Sequence, residues 1–209
     1  SPMVDPTVMA VSGLQVVEHS PETNPVEWFN PVSEPVVNYF QYSPDEYEAL
    51  TPEQRQQAAS IDDVTTIYRT QALKDLPFRK VTYGEDICWG VDALKAGYKL
   101  AFNPAARCYH YHLENYSSSR KKAIAVLYMR YRMFGVKAKK QVEMGRLIRT
   151  LLKIAIIDKL PMTRRIFWMK NNLECALGLN KGLTLVRDAL SEGDTELEEL
   201  YRSYCGTPP

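Results

Sequence analysis

The segment from Val81 to His112, VTYGEDICWGVDALKAGYKLAFNPAARCYHYH, restricts the possible folds more than any other part of the chain. Glu85 and Asp86 open an apolar helical pattern, because carboxylates are favoured where the backbone N–H groups of a helix are unpaired. Gly97 marks the end of that helix. The runs YKLAFNP and ARCYHY then predict two strands with a proline turn between them. A helix followed at once by strands is typical of an α/β fold.

Other parts of the chain carry similar local signals. The β-branched run from Pro6 to Val17 predicts a strand, and the segment around Val64 to Tyr68 predicts a second, short one. A helical turn is expected from Thr70 to Leu73. Two Ser/Thr-Pro-acid starts, SPDEYEAL and TPEQRQQAA, predict short helices.

Residues 18–60 form a long excursion that is rich in turn residues, and we expect it to be ordered because its aromatic side chains need burial or a partner: Trp28, Phe29, Tyr39, Phe40 and Tyr42. From Ser117 onward the pattern is helical to the end. Breaks are predicted near Gly135, near Pro161 and at Gly178–Gly182.

The net charge of +1 conceals a strong separation of charge along the chain. Residues 1–119 hold 8 Lys/Arg against 16 Asp/Glu, residues 120–187 hold 17 against 3, and residues 188–209 hold 1 against 6. A basic segment of this size favours an anionic partner, which is either a phosphate group, a membrane surface or the acidic half of the protein itself.

Cysteine usage and hydropathy favour a cytoplasmic protein. The four cysteines are widely spaced without a CxxC pair, which favours reduced thiols. The first thirty residues lack the apolar run of a signal peptide, and no stretch approaches the roughly 18 apolar residues of a membrane span. Peripheral attachment to the inner face of the cytoplasmic membrane stays compatible with this pattern.

Five side chains within the 81–112 segment are candidates for chemistry. A carboxylate fixed at a helix start next to a second acid, as at Asp86 and Glu85, suits a general base, although plain helix capping is the simpler explanation of the pair taken alone. Trp89 could line a sugar-sized pocket or pack in the core. His110 and His112 share one face of a strand and could bind a metal or a phosphate, or be one packed and one solvated.

The order of these groups resembles the C-terminal half of the catalytic domain of family 2 glycosyltransferases of the GT-A fold, with rhamnosyltransferase-like members the most similar. The resemblance runs from about Pro6 to Phe134, with Arg69 at a matching arginine upstream. Its principal matching residues are Gly84, Glu85, Asp86, Trp89, Ala93, Leu94, Ala96, Gly97, Tyr98, Pro104, Ala106, Tyr109, His110 and His112. It implies an incomplete GT-A-like, Rossmann-type mixed sheet in residues 1–134, followed by a helical tail in residues 135–209.

The resemblance also implies roles. Asp86 would be the catalytic base of an inverting transfer from a nucleotide-sugar donor to a glycan or polyprenyl-linked acceptor, in bacterial cell-surface polysaccharide synthesis. Glu85, Trp89 and Arg69 would bind the acceptor. His110 and His112 would reach the diphosphate or its divalent metal, Mg²⁺ or Mn²⁺, whereas no residue of this chain is assigned to a cofactor.

Two departures from the family pattern qualify that assignment. Asp92 stands where the family often has arginine. The nucleotide-binding half with its Asp-x-Asp metal motif would precede residue 1, and Asp62-Asp63 lies in the wrong context to replace it. We therefore expect a fragment of a longer transferase that is inactive by itself. The alternative is a non-catalytic, transferase-like module that binds glycan or anchors a larger protein.

The tail combines an apolar stripe with basic residues. Leu147, Leu151, Ile154 and Ile157 fall on one helical face, and Phe167 and Trp168 follow in the next helix. Such a hairpin suits an anionic membrane surface, or it packs on its own domain or on a second subunit of a homo-oligomer. Nucleic acid is not expected as a partner, because the aromatic residues do not alternate with the basic ones.

Overall fold

The computed structural model describes residues 1–17, 20, 22–26, 36–137, 144–158 and 160–208, and within these ranges the chain forms a four-stranded sheet and eight α-helices. The strands are β1 (Val8–Val16), β2 (Asn38–Phe40), β3 (Ile67–Tyr68) and β4 (Lys99–Tyr109). The helices are α1 (Pro44–Ala49), α2 (Pro52–Ala59), α3 (Thr70–Asp75), α4 (Glu85–Lys95), α5 (Tyr116–Phe134), α6 (Met144–Ile156), α7 (Met162–Glu192) and α8 (Asp194–Cys205). The predicted mixed α/β class is confirmed.

The sheet has the order β2-β4-β1-β3, with β1 and β4 parallel and the two outer strands antiparallel to their neighbours. Central strand β1 is the most buried, and Val8 and Ala10 are fully enclosed. The N-terminus of α4 lies towards the carboxyl end of β1 and β4, because Asp86 lies near Asp63 and the neighbouring Asp62 accepts a hydrogen bond from Gln15, near the end of β1. Ligands of open α/β sheets bind outside this end of the strands.

The predicted turn at Pro104 is wrong, since YKLAFNP and ARCYHY form the single strand β4. The pairing with β1 shifts around this proline: between Ser12 and Leu14 the central strand advances two residues, whereas β4 advances five, from Phe102 to Arg107. A proline lacks the N–H that a regular ladder needs, but a bulge leaves residues unpaired and therefore accommodates it.

Most local helix signals behave as predicted. Ser43 and Thr51 each cap a helix in a complete capping box, with Glu46 and Gln54 returning the hydrogen bond. In the excursion, Phe40 and Tyr42 pack against the core, whereas Tyr39 is half exposed under the Lys99 ammonium, 5.0 Å from the ring centroid. Trp28 and Phe29 lie outside the described residues.

The predicted break at Gly178–Gly182 is also wrong, because α7 continues through both glycines to Glu192. The glycines face α5, where a Cβ on Gly182 would come within 2.6 Å of the Ala123 Cβ and 2.7 Å of the Arg120 carbonyl oxygen. A Cβ on Gly178 would collide with the Tyr116 carbonyl oxygen. The two glycines therefore permit close helix packing rather than ending the helix. The other predicted breaks, at Gly135 and Pro161, are confirmed.

Helix α5 contributes to two apolar clusters. Phe134 at its end packs with Trp89 and Leu100 around the sheet, whereas Ile124 and Tyr128 pack with α7 and α8. The C-terminal residues also return to the first part of the chain: Thr207 donates its N–H to the Thr82 hydroxyl oxygen at 3.0 Å. The predicted boundary between residues 134 and 135 stays a prediction.

No helix among the described residues combines the length and the hydropathy that crossing a lipid bilayer requires.

Candidate functional site

The candidate site is built on the loop and first turn of α4. Gly84 precedes the helix and has a left-handed backbone conformation, with a φ of 76°, which residues other than glycine rarely adopt. This turn directs Glu85 and Asp86 into the first turn of α4, as predicted. The Met129 side chain of α5 packs against Gly84 and supports the turn.

The Asp86 carboxylate is half-buried and accepts the backbone N–H of Ile87 at 2.7 Å. Asp63, in the turn before β3, lies nearby. Burial, which disfavours the charged form, raises the pKa of Asp86 to about 6, and the negative charges of Asp63 and Glu85 act in the same direction. The hydrogen bond from Ile87 favours the charged form but does not offset the burial. Asp86 therefore holds a proton more readily than an ordinary aspartate and exchanges it near neutral pH.

Asp63 and Tyr68 are the members of this site that the sequence did not reveal. The Tyr68 hydroxyl donates a hydrogen bond to the Asp63 carboxylate. Burial and this bond raise the pKa of Tyr68, so its hydroxyl stays protonated. Asp62-Asp63 was visible as an acidic pair, but its approach to Asp86 depends on a contact across more than twenty residues of chain.

Trp89 packs in the core. It is 1 % exposed, its indole N–H donates to the Leu76 carbonyl oxygen at 2.7 Å, and Tyr68 stands edge-on to it at 4.9 Å between ring centroids. The core-packing alternative therefore describes this structure. An acceptor contact by Trp89 stays a prediction that the burial of the indole does not favour.

Arg69 is occupied by backbone carbonyls. Its guanidinium donates to the carbonyl oxygens of Val8 at 2.7 Å and of Met3 and Asp5 at 2.8 Å each. These bonds fasten the N-terminal turn to the sheet, which is a structural role. Acceptor binding by Arg69 stays a prediction, as it does for Glu85, which is half-buried beside Asp86.

His110 and His112 contact each other, with ring centroids 4.4 Å apart in an edge-to-face arrangement. The backbone N–H of His110 donates to the Val16 carbonyl oxygen. In the Asp62–Thr66 turn, the Thr65 carbonyl oxygen accepts the backbone N–H of Gly13. These two positions on β1 are three residues apart, which is about 10 Å along a strand. The histidines follow the end of β4 on one side of β1, whereas the Asp62–Thr66 turn leads into β3 on its other side.

A divalent-metal site is not formed by these residues. Within the described ranges, no three His, Cys, Asp or Glu side chains are grouped so that they could hold a metal. The histidine pair supplies two imidazoles, whereas Mg²⁺ and Mn²⁺ prefer oxygen ligands. The predicted metal stays a prediction that requires ligands from elsewhere, and we derive no chemical step through it.

Asp92, the residue that departs from the family pattern, is paired with a neighbouring arginine. The Arg79 guanidinium donates two hydrogen bonds to the Asp92 carboxylate, at 2.8 Å and 2.6 Å, and this pairing raises the pKa of Arg79. The negative charge of Asp92 is therefore neutralised on the outer face of α4. Arg79 is three residues beyond Leu76 in the loop before α4, and no sequence pattern indicated that it would pair with Asp92.

No protein-family model, no curated protein and no solved structure matches the chain. The glycosyltransferase resemblance consequently rests on the residues quoted above.

Proposed function

We propose that this chain is the acceptor-side part of an inverting glycosyltransferase of the GT-A fold, with Asp86 as the catalytic base. The observation that carries the proposal is the half-buried Asp86 carboxyl, with a pKa raised to about 6, at the carboxyl end of two parallel strands. At neutral pH, a base with a pKa near neutrality is largely deprotonated and still binds a proton tightly enough to remove it from a hydroxyl group.

In the proposed reaction, the Asp86 carboxylate removes the proton from an acceptor hydroxyl. The hydroxyl oxygen attacks the anomeric carbon of a nucleotide sugar from the face opposite the diphosphate. A bond from oxygen to the anomeric carbon forms, and the bond from that carbon to the diphosphate oxygen breaks. The nucleoside diphosphate leaves with the electron pair, and the anomeric configuration inverts.

Asp63 approaches the base from a different part of the chain, and its negative charge adds to burial in raising the pKa of Asp86. The proposed acceptor is a glycan or a polyprenyl-linked glycan of bacterial cell-surface polysaccharide synthesis. The proposed location is the cytoplasm, on the side of the nucleotide-sugar donor.

The test is Asp86→Asn in the natural protein that carries this chain, assayed by nucleoside diphosphate release from a panel of nucleotide sugars with glycan acceptors. Loss of a general base should lower turnover by about 10²- to 10⁴-fold. Glu53→Gln is the matched control, since Glu53 is an exposed acid in the first turn of α2. Circular dichroism checks that both variants fold, and undiminished turnover in Asp86→Asn would refute the assignment.

A non-catalytic, glycan-binding module is the second candidate. The observation behind it is that Trp89 and Arg69, two of the predicted acceptor contacts of the transferase, are engaged in the core and with backbone carbonyls, which does not favour the catalytic candidate. The two candidates differ in one respect: a binding module retains glycan in a glycan-array assay with unchanged affinity after Asp86→Asn, and releases no nucleoside diphosphate in either form.

A further inference from the structure

Helix α6 has apolar side chains on two opposite faces. The inner face is buried, with Leu147, Thr150 and Ile154 enclosed. Ile154 packs in one cluster with Leu160 and Trp168, at the start of α7. Arg165 secures this arrangement, because its guanidinium donates to the carbonyl oxygens of Ala155 and Ile157, both at 2.8 Å. The inner face is therefore covered by other residues of the same chain.

The outer face carries a second apolar row that is exposed to solvent. Its members follow at intervals of four residues, and their exposed fractions are 58 % for Met144, 51 % for Ile148, 59 % for Leu152 and 75 % for Ile156. Since each interval of four residues advances about 40° around a helix, the row covers about 120° of the circumference. Isolated exposed apolar residues are ordinary, but a contiguous row of four large ones indicates a binding surface.

Cations border this row on one side. Arg149 and Lys153 follow the apolar positions around the helix, and both lie in a helix that contains no Asp or Glu. Lys153 and Ile156 also line a shallow groove together with Pro25, Val26 and Ile157. The surface thus offers apolar groups for burial and positive charge at their edge.

We propose that the outer face of α6 docks on an anionic lipid surface, with Met144, Ile148, Leu152 and Ile156 among the acyl chains and Arg149 and Lys153 at the headgroups. An apolar row with cations at its edge is the pattern of helices that lie in a membrane interface. The helix has 13 residues, about 20 Å, and would lie parallel to the surface. A contact with a second copy fits less well, because α6 contains no Asp or Glu that could pair with the cations of the other copy.

This inference is independent of the glycosyltransferase proposal, since it uses no residue of the Asp86 site. The test is flotation of the protein with vesicles of phosphatidylcholine alone and of phosphatidylcholine and phosphatidylglycerol in a ratio of roughly two to one. Binding to the anionic vesicles is expected, with weakening at about 0.5 M salt as the charges are screened.

Leu152→Gln combined with Ile156→Gln should lower the partition coefficient by roughly tenfold or more, because two large apolar groups no longer leave water. The matched control is Ile67→Gln combined with Val126→Gln, two exposed apolar residues elsewhere, with exposed fractions of 64 % and 47 %. Arg149→Gln combined with Lys153→Gln should lower binding to anionic vesicles by about tenfold. Its control is Lys74→Gln combined with Lys80→Gln, both exposed outside the tail.

Since all of these side chains are exposed, the variants should fold, and thermal melts verify it. The proposal is overturned if the protein does not bind anionic vesicles at low salt, or if the α6 variants bind them as tightly as the control variants do. It is also overturned if analytical ultracentrifugation shows self-association that Leu152→Gln with Ile156→Gln abolishes, because a second copy would then cover the face.

Discussion

The Asp63 carboxylate, which accepts a hydrogen bond from the Tyr68 hydroxyl, lies near the half-buried Asp86 carboxyl, so the turn before β3 approaches the first turn of α4. Burial and the negative charge of Asp63 both disfavour the ionised form of Asp86. The raised pKa of Asp86 gives the first two predictions.

Asp86→Asn should stabilise the protein at pH 8 by about 2 kcal/mol. The folded pKa of about 6 lies above the ordinary value of 3.8, so the folded state holds the proton more tightly than the unfolded state. The stability that this provides is complete below the ordinary pKa and is lost as the pH rises through 6. The gain from the substitution should therefore shrink towards zero at pH 4, as measured by urea denaturation at both pH values. Equal effects at the two pH values would contradict the raised pKa.

If Asp86 is the base, kcat/KM for transfer should fall tenfold per pH unit below about pH 6, because only the deprotonated carboxylate accepts a proton. Asp63→Asn removes one of the charges that raise this pKa and should move the inflection to lower pH. A profile that keeps its inflection in Asp63→Asn would show that the charge of Asp63 does not reach the titrating group.

Trp89→Phe should destabilise the protein by about 1–2 kcal/mol, since the Leu76 carbonyl oxygen loses its donor while most of the aromatic packing is retained. Trp89→Ala should cost about 3–5 kcal/mol, because it also leaves a cavity. Urea denaturation followed by circular dichroism measures both. Values near zero for both variants would mean that the indole is not a core residue.

Gly182→Ala should destabilise the protein by roughly 1–3 kcal/mol, because the added methyl meets Ala123 and the Arg120 carbonyl oxygen on α5. Gly145→Ala is the matched control, since Gly145 lies in α6 and has nothing within 4 Å of the added carbon. That substitution should be neutral or stabilising by up to about 1 kcal/mol, as alanine is the better helix former. Thermal denaturation compares the two, and a tolerated Gly182→Ala would indicate that α5 and α7 separate easily.

The Arg79–Asp92 pair should show a coupling of about 0.5–1 kcal/mol in a double-mutant cycle with Arg79→Ala and Asp92→Asn. The pair has good two-bond geometry, but 42 % of the Arg79 side chain is exposed, so solvent screens it. Additive single effects would show that the pair contributes nothing measurable.

Local signals in the sequence predicted the elements well and the contacts between them poorly. Ser43, Thr51, Gly97 and Gly135 act on their own segments, and each begins or ends a helix as expected. The predictions at Pro104 and Gly182 were wrong, because the effect of each residue depends on a distant element. Pro104 lies at a bulge against β1, and Gly182 packs against α5. A residue that breaks an isolated element can serve packing when a partner is present.

The same distinction applies to the candidate site. The position of Asp86 at a helix start was predictable from the acids and the glycine before them. Its environment was not, since Asp63 and Tyr68 reach it through the turn before β3. The placements of Arg69 and Trp89 likewise depend on carbonyl oxygens that no pattern of side chains reveals.

Helix α5 supplies Phe134 to the apolar cluster around the sheet and Tyr128 to the cluster of α7 and α8. If the chain were cut after α5, Tyr128 and Ile124 would be exposed to solvent in the N-terminal piece. In the C-terminal piece, α7 would lack α5, the helix against which it mainly packs. Recombinant halves are therefore expected to aggregate, whereas the intact chain should melt in a single cooperative step that dissolves sheet and helices together.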